Sequence, residues 1–391
     1  MYQEIVSRWH RKKELVAHNY YLRRIRSSFK HKFGDAEWAH QEMKALLQES
    51  EGKVGALVLA ERLIQAQEYD TPLAYLKKQL ATAERPKQTA QIQYLIACGE
   101  LAQGNIATAR AAIERAVALD AGRSEFYEVL TDCWLEVGNW RNAVDILRKA
   151  LLSQPRQQEL LYQLGLILAK HNEKEDALRC FQGCCALDRR NPYFWEAQGE
   201  IHLQLEDIVP ACQCYEKAWT FGAEPEALAR VAYCYAQMGQ RAKGIKYYKR
   251  VLKYEPDHYD TLCNLAAVYQ NQDRSQEAWE LLERAAELQA NDPILLNNMA
   301  YTLGELGRLR KSIEYYLRAL SLRPDHPMIL YNYSVCLVKK GDWNEAITIL
   351  RRLLALDRDH VDGWTLLGNI YDELTNYDTA VDCYNQSLKL A

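Results

Sequence analysis

The sequence predicts an all-α solenoid of antiparallel helix pairs. Three observations carry that prediction: a 34-residue period, small residues at two fixed places in each period, and a bulky residue at a third. The period emerges when Leu-Gly-x-x-Leu at 164–168 is aligned with Leu-Gly-x-x-Tyr at 367–371. Units then begin at Ala90, Ser124, Gln158, Pro192, Pro225, Tyr259, Pro293, Pro327 and Val361, every interval being 34 except the 33 between Pro192 and Pro225. A period of this length is the signature of a helical-pair array.

Each unit is read from its spacing. Position 8 holds Ala97, Thr131, Gly165, Gly199, Ala232, Ala266, Ala300, Ser334 and Gly368. Position 20 holds Ala109, Ala143, Ala177, Ala211, Gly244, Ala278, Ser312, Ala346 and Ala380. Nothing larger than threonine occurs at either place, as expected where two helices approach closely. Position 24 is bulky (Ile113, Leu147, Phe181, Tyr215, Tyr248, Leu282, Tyr316, Leu350, Tyr384) and fills the space left over. Glycine at position 15 (Gly104, Gly138, Gly239, Gly307, Gly341) ends the first helix. Proline at position 32 (Pro155, Pro256, Pro324) stops the second.

Upstream the pattern degrades. Residues 53–89 read as a degenerate helical repeat, with Leu57, Leu59, Ala60, Leu63 and Ile64 in its first helix and Asp70 or Thr71 capping its second. Residues 1–52 read as a diverged basic helical cap, with an apolar stripe at Ile5, Trp9, Leu15, Leu22, Ile25 and Phe29. Residues 1–32 hold nine Lys/Arg against two acids, a local +7, so the rest of the chain carries −10 of the overall −3. That basic end either lies against the acidic remainder or meets an anionic partner or membrane surface. At the other end the last unit stops at Ala391, three residues short. An uncapped seam bordered by Cys383, Tyr384, Ser387 and Leu388 is expected there, with self-association through it.

Composition narrows the class. Hydrophobic residues make 48% and charged residues 26%, as in a soluble folded protein. No run of about 18 apolar residues exists, so no membrane span is expected, and the basic N-terminus lacks the apolar stretch of a signal peptide. Eleven cysteines fit a reducing compartment, which points to the cytoplasm.

Small residues at 8 and 20, a bulky residue at 24 and proline at 32 resemble the tetratricopeptide-repeat (TPR) family over residues 90–391. The resemblance implies a right-handed superhelical solenoid whose first helices line a concave groove. It also implies ligands that are extended peptides or partner helices. Within the family the units are similar to the superhelical repeats of O-linked N-acetylglucosamine transferases, without any catalytic domain here.

Position 6, groove-facing by that resemblance, reads Arg230, Asn264, Asn298 and Asn332 in successive units. An asparagine amide offers both donor and acceptor, matching an extended backbone, so the ladder is a candidate peptide-binding surface together with Asn297, Tyr301, Tyr331 and Asn369. The alternative is that these amides help pack adjacent repeats. Chaperone-binding members carry lysine at position 5. Here that position holds Tyr94, Glu128, Tyr162, Glu196, Ala229, Cys263, Asn297, Tyr331 and Thr365, so capture of a chaperone's acidic tail is not expected.

Other motifs read as structural. Cys133, Cys234 and Cys336 share position 10, and Cys180, Cys214 and Cys383 share position 23, a recurrence that suits packing. His258, His326 and His360 each follow an aspartate (Asp257, Asp325, Asp359) that reads as the N-cap of the next first helix. No phosphate loop, nucleophile elbow or paired metal histidines occur, so no enzyme, cofactor or metal is expected. The function expected is a non-catalytic scaffold binding a protein or peptide ligand. Two alternatives are an RNA-associated repeat protein using the basic N-terminus, or a cytoplasmic-side component of a bacterial envelope or secretion assembly. Nucleic acid is disfavoured because RNA-reading solenoids carry basic grooves, whereas this chain is acidic after residue 32.

Overall fold

The computed structural model describes residues 54–65 and 67–390; the basic cap expected over 1–52 lies outside them. The described residues form twenty α-helices and no strand. The chain divides into two compact units, 1–207 and 208–391. In the first, α1 (Val54–Gln65) and α2 (Asp70–Leu80) precede α3 (Pro86–Ala102), α4 (Ile106–Leu119), α5 (Ser124–Glu136), α6 (Trp140–Ser153), α7 (Gln158–Lys170), α8 (Lys174–Leu187) and α9 (Pro192–Gln204). The second holds α10 (Ile208–Thr220), α11 (Pro225–Gln237), α12 (Arg241–Tyr254), α13 (Tyr259–Gln270), α14 (Ser275–Leu288) and α15 (Pro293–Glu305). It continues through α16 (Leu309–Leu322), α17 (Pro327–Lys340), α18 (Trp343–Leu356), α19 (Val361–Glu373) and α20 (Tyr377–Leu390).

Local chemistry sets the helix ends. Proline stands in the first turn of α3, α9, α11, α15 and α17, where its missing N–H has no intrahelical partner to lose. The residue at position 15 adopts positive φ in every unit: Gly104, Gly138, Gly239, Gly307 and Gly341, but also Asn172, Glu206, Asp273 and Thr375. The turn geometry therefore persists where glycine is absent, at a cost of about 1–2 kcal/mol for a side chain forced left-handed. The 33-residue interval also has a local cause. Helix α10 has 13 residues where the second helices of the other units have 14.

Four expected aspartate caps are corrected. Asp70 is the first residue of α2 rather than its N-cap, and its carboxylate accepts from Gln103 Nε2 at 3.2 Å. The aspartates before α13 and α19 yield to the histidines that follow them. His258 Nδ1 accepts from the Thr261 N–H at 3.2 Å, and His360 Nδ1 from the Gly363 N–H at 3.0 Å. A neutral imidazole reaches the third helical N–H from the N-cap position itself. Asp325 instead pairs with Arg352 at 2.7 Å.

The small and bulky positions meet as their chemistry requires. A Cβ on Gly165 would lie 2.7 Å from the Phe181 ring, and one on Gly368 2.6 Å from Tyr384. A Cβ on Gly244 would lie 3.0 Å from the Ala232 carbonyl, and Ser312 Oγ donates to the Ala300 carbonyl at 2.6 Å. Position 20 thus rests on the backbone of position 8. Each helix packs on its chain neighbours within its unit, and successive first helices also touch: α1, α3, α5 and α7 in one row, α11, α13, α15, α17 and α19 in another. The recurring cysteines Cys133, Cys234, Cys336, Cys180, Cys214 and Cys383 are all buried. Burial pushes the Cys133, Cys180 and Cys214 thiols up to about 11, which keeps them protonated and unreactive at neutral pH. At the C-terminal end Cys383 and Ser387 are covered, Ser387 Oγ lying 2.8 Å from Thr365 Oγ1. The exposed apolar residues there are Leu374, Tyr377, Val381, Leu388 and Leu390, a different set from the one expected apart from Leu388.

Candidate functional site

First helices stacked side by side bring residues about 34 apart into contact, and in the second unit this row carries the asparagines. The structure sorts the candidates into two groups. Arg230, Asn297 and Asn298 are buried, at 8%, 1% and 5% exposure. Asn264, Tyr331 and Asn332 are half-buried, while Tyr301 and Asn369 are exposed.

The buried group is spent on the fold. Glu226 lies 3.2 Å from Arg230 Nε and 3.0 Å from His258 Nε2, so one carboxylate ties α11 to the cap of α13. Asn297 Nδ2 donates to Asn298 Oδ1 at 3.2 Å, and Asn332 Nδ2 donates to Asn297 Oδ1 at 3.1 Å. The Asn298 carbonyl accepts from Gln270 Nε2 at 3.0 Å and from Thr302 Oγ1 at 2.8 Å. Three consecutive first helices, α13, α15 and α17, are thereby joined by one amide network. Asn297 bonds across adjacent repeats, whereas the Asn298 side chain bonds only within its own helix.

The exposed group keeps unused chemistry. Asn264 makes no side-chain hydrogen bond to the described residues, so its donors and acceptor are all available. Asn332 gives one amide hydrogen to Asn297 and keeps its oxygen. Tyr301 is 38% exposed, and the Tyr331 ring packs 5.2 Å from His360. Asn369, itself exposed, accepts from Tyr384 Oη at 2.9 Å.

Sequence reasoning missed the residues that staple neighbours. Tyr259 Oη donates to Asp292 Oδ2 at 2.8 Å, Gln270 Nε2 to Thr302 Oγ1 at 2.7 Å, and Lys339 Nζ pairs with Glu305 at 2.6 Å. Their signal was polar partners separated by 32 to 34 residues. On the first unit's row the surface is acidic. Glu128, Asp132 and Glu136 stand one turn apart on α5, and Gln163 Nε2 faces Asp132 Oδ1 at 3.5 Å. Asp132 is open to solvent on one side yet hemmed in by chain on the others. Burial first, then Glu128 and Glu136, push its carboxyl up to about 7.

Among the described residues no helix is long and apolar enough to cross a membrane, and no group of three or more His, Cys, Asp or Glu is gathered as metal ligands.

Family models of the tetratricopeptide repeat match residues 94–158, 134–183, 235–300 and 305–387, together more than half of the chain. The tetratricopeptide repeat-containing protein trd-1 of Caenorhabditis elegans is 24% identical over 178 residues, covering 44% of this chain and 22% of that protein. The BBSome complex member BBS4 of Bos taurus is 20% identical over 204 residues, 52% of this chain and 39% of that protein. The chain thus spans less than half the length of either relative. The crystal structure of the APC/C hetero-tetramer Cut9-Hcn1 shares the fold, with a TM-score of 0.52 at 15% identity over 86% of this chain and 80% of that one. Period, helix pairing and family models agree: the chain belongs to the tetratricopeptide-repeat family.

Proposed function

We propose that this protein is a non-catalytic scaffold that holds an extended polypeptide along the first-helix row of α13, α15, α17 and α19. The observation that carries the reading is Asn264. Its amide is half-buried and makes no hydrogen bond to the described residues, on the same row of first helices as Asn332, Tyr301 and Tyr331. An extended backbone presents an N–H and a C=O in alternation, so such amides grip a chain without reading its side chains. Tyrosines add contact area with a hydrogen-bonding tip, as in many binding sites.

Selection of peptides from a displayed random library on the purified protein, followed by anisotropy titration, tests this. An Asn264→Ala/Asn332→Ala double variant should bind the selected peptide about tenfold more weakly, the worth of two hydrogen bonds of roughly 0.7 kcal/mol each. Equal affinity in both proteins, or no enrichment of any peptide, overturns the proposal.

A further inference from the structure

Helix α12 (Arg241–Tyr254) reads RAKGIKYYKRVLKY, with Arg241, Lys243, Lys246, Lys249, Arg250 and Lys253 and no carboxylate. All six cations are exposed. At about 100° per residue, Lys243, Lys246, Lys249, Arg250 and Lys253 fall within an arc of about 120°, opposite the buried Gly244, Tyr248 and Val251. None of the six makes an ion pair with a described residue. Three instead lie over aromatic faces: Lys243 is 5.2 Å from the Tyr235 ring, Lys249 5.9 Å from Tyr269, and Arg250 5.4 Å from Trp219. Those contacts hold the charges in place without neutralising them. Tyr254, 55% exposed, lies beside the stripe and packs against Trp219. Cations in the last turn complement the helix dipole, which explains Lys253 and leaves Lys243, Lys246 and Lys249 without that reason.

We propose that the exposed face of α12 docks an acidic helical segment of a partner protein, carboxylates set on the Lys243–Lys253 stripe and an apolar side chain against Tyr254.

The charge pattern favours that occupant over other polyanions. The stripe is one helix long, about 21 Å for 14 residues. A neighbouring second helix, α14, carries Glu277, Glu280, Glu283 and Glu287 against one arginine. A nucleic acid strand or membrane plane extending past α12 meets those acids and is repelled. An acidic helix of matching length sits along the α12 cations, of which Lys249 feels an α14 carboxylate, that of Glu277. This surface lies on a second helix and is independent of the asparagine row.

The test uses the full chain and four probes: a helical peptide of about 14 residues with glutamates at i, i+3/i+4, i+7 spacing and a leucine seam, its glutamine counterpart, single-stranded oligouridylate, and phosphatidylserine vesicles. The acidic peptide should bind, more weakly as salt rises, and the glutamine peptide should not. Lys246→Glu/Lys253→Glu alters two cations that cover no ring and should weaken the acidic peptide by at least about tenfold. If that variant unfolds, Lys246→Gln/Lys253→Gln replaces it, with weakening again expected. Arg310→Glu/Lys311→Glu on α16 and Asn264→Ala/Asn332→Ala should leave binding unchanged. The proposal is overturned if wild type ignores the acidic peptide, if the α12 variants bind it as wild type does, or if RNA or vesicles bind more tightly through the same lysines.

Discussion

Asn264 and Asn298 occupy the same place in successive units and have opposite fates. Asn298 is 5% exposed and its neighbour Asn297 1%, each held in the amide network, while Asn264 is half-buried and makes no hydrogen bond to the described residues. Truncating Asn298 leaves the Asn297 amide hydrogen buried without its acceptor, a loss of about 1–3 kcal/mol. Asn298→Ala should therefore lower the thermal midpoint by several degrees, and Asn264→Ala should leave it nearly unchanged. Melting curves of the two variants decide this, and equal losses would mean that both amides serve the fold. The sequence showed the ladder but not this division, because burial at position 6 depends on which polar side chains the neighbouring unit supplies. For the Asn297–Asn298 pair the next unit supplies Asn332. Asp132 gives a pH-dependent counterpart. Its folded pKa, raised from 3.8 to about 7, means the folded state favours the protonated acid. That contribution is fully present below pH 3.8 and is lost as pH rises through 7. Asp132→Asn should make stability fall less steeply across that window in thermal scans; an unaltered slope contradicts the shift.

Within an element, the period explains the helix ends and contacts. Phase was legible because small residues at 8 and 20 face a bulky 24, a requirement of steric volume that survives substitution among Ala, Gly, Ser and Thr. Caps were less legible. His258 and His360 cap through a ring nitrogen, and histidine is not among the usual N-cap residues. Ala278 is fully buried at position 20 of its unit. Ala278→Leu should cost about 1–3 kcal/mol through overpacking, read as a lower midpoint in chemical denaturation. Unchanged stability would mean that the two helices of this pair do not meet there.

At the scale of the molecule, the overall charge of −3 conceals local fields of opposite sign. The first unit's row gathers acids around Asp132, whereas the middle of the second unit's row carries uncharged amides and tyrosines at Asn264, Asn298, Tyr301, Tyr331 and Asn332. Uncharged amides suit a backbone ligand, which carries dipoles rather than net charge. The two proposals together give the second unit a sequence-tolerant grip on first helices and a charge-selective face on α12. The most direct test is site-specific photocrosslinking of a library-selected peptide from a benzophenone side chain placed at Tyr301 on α15 or at Leu317 on α16, which is 50% exposed. The account predicts crosslinks from position 301 that vanish in the Asn264→Ala/Asn332→Ala background, and none from position 317. Equal yields from the two positions, or crosslinks that survive the double substitution, would contradict it.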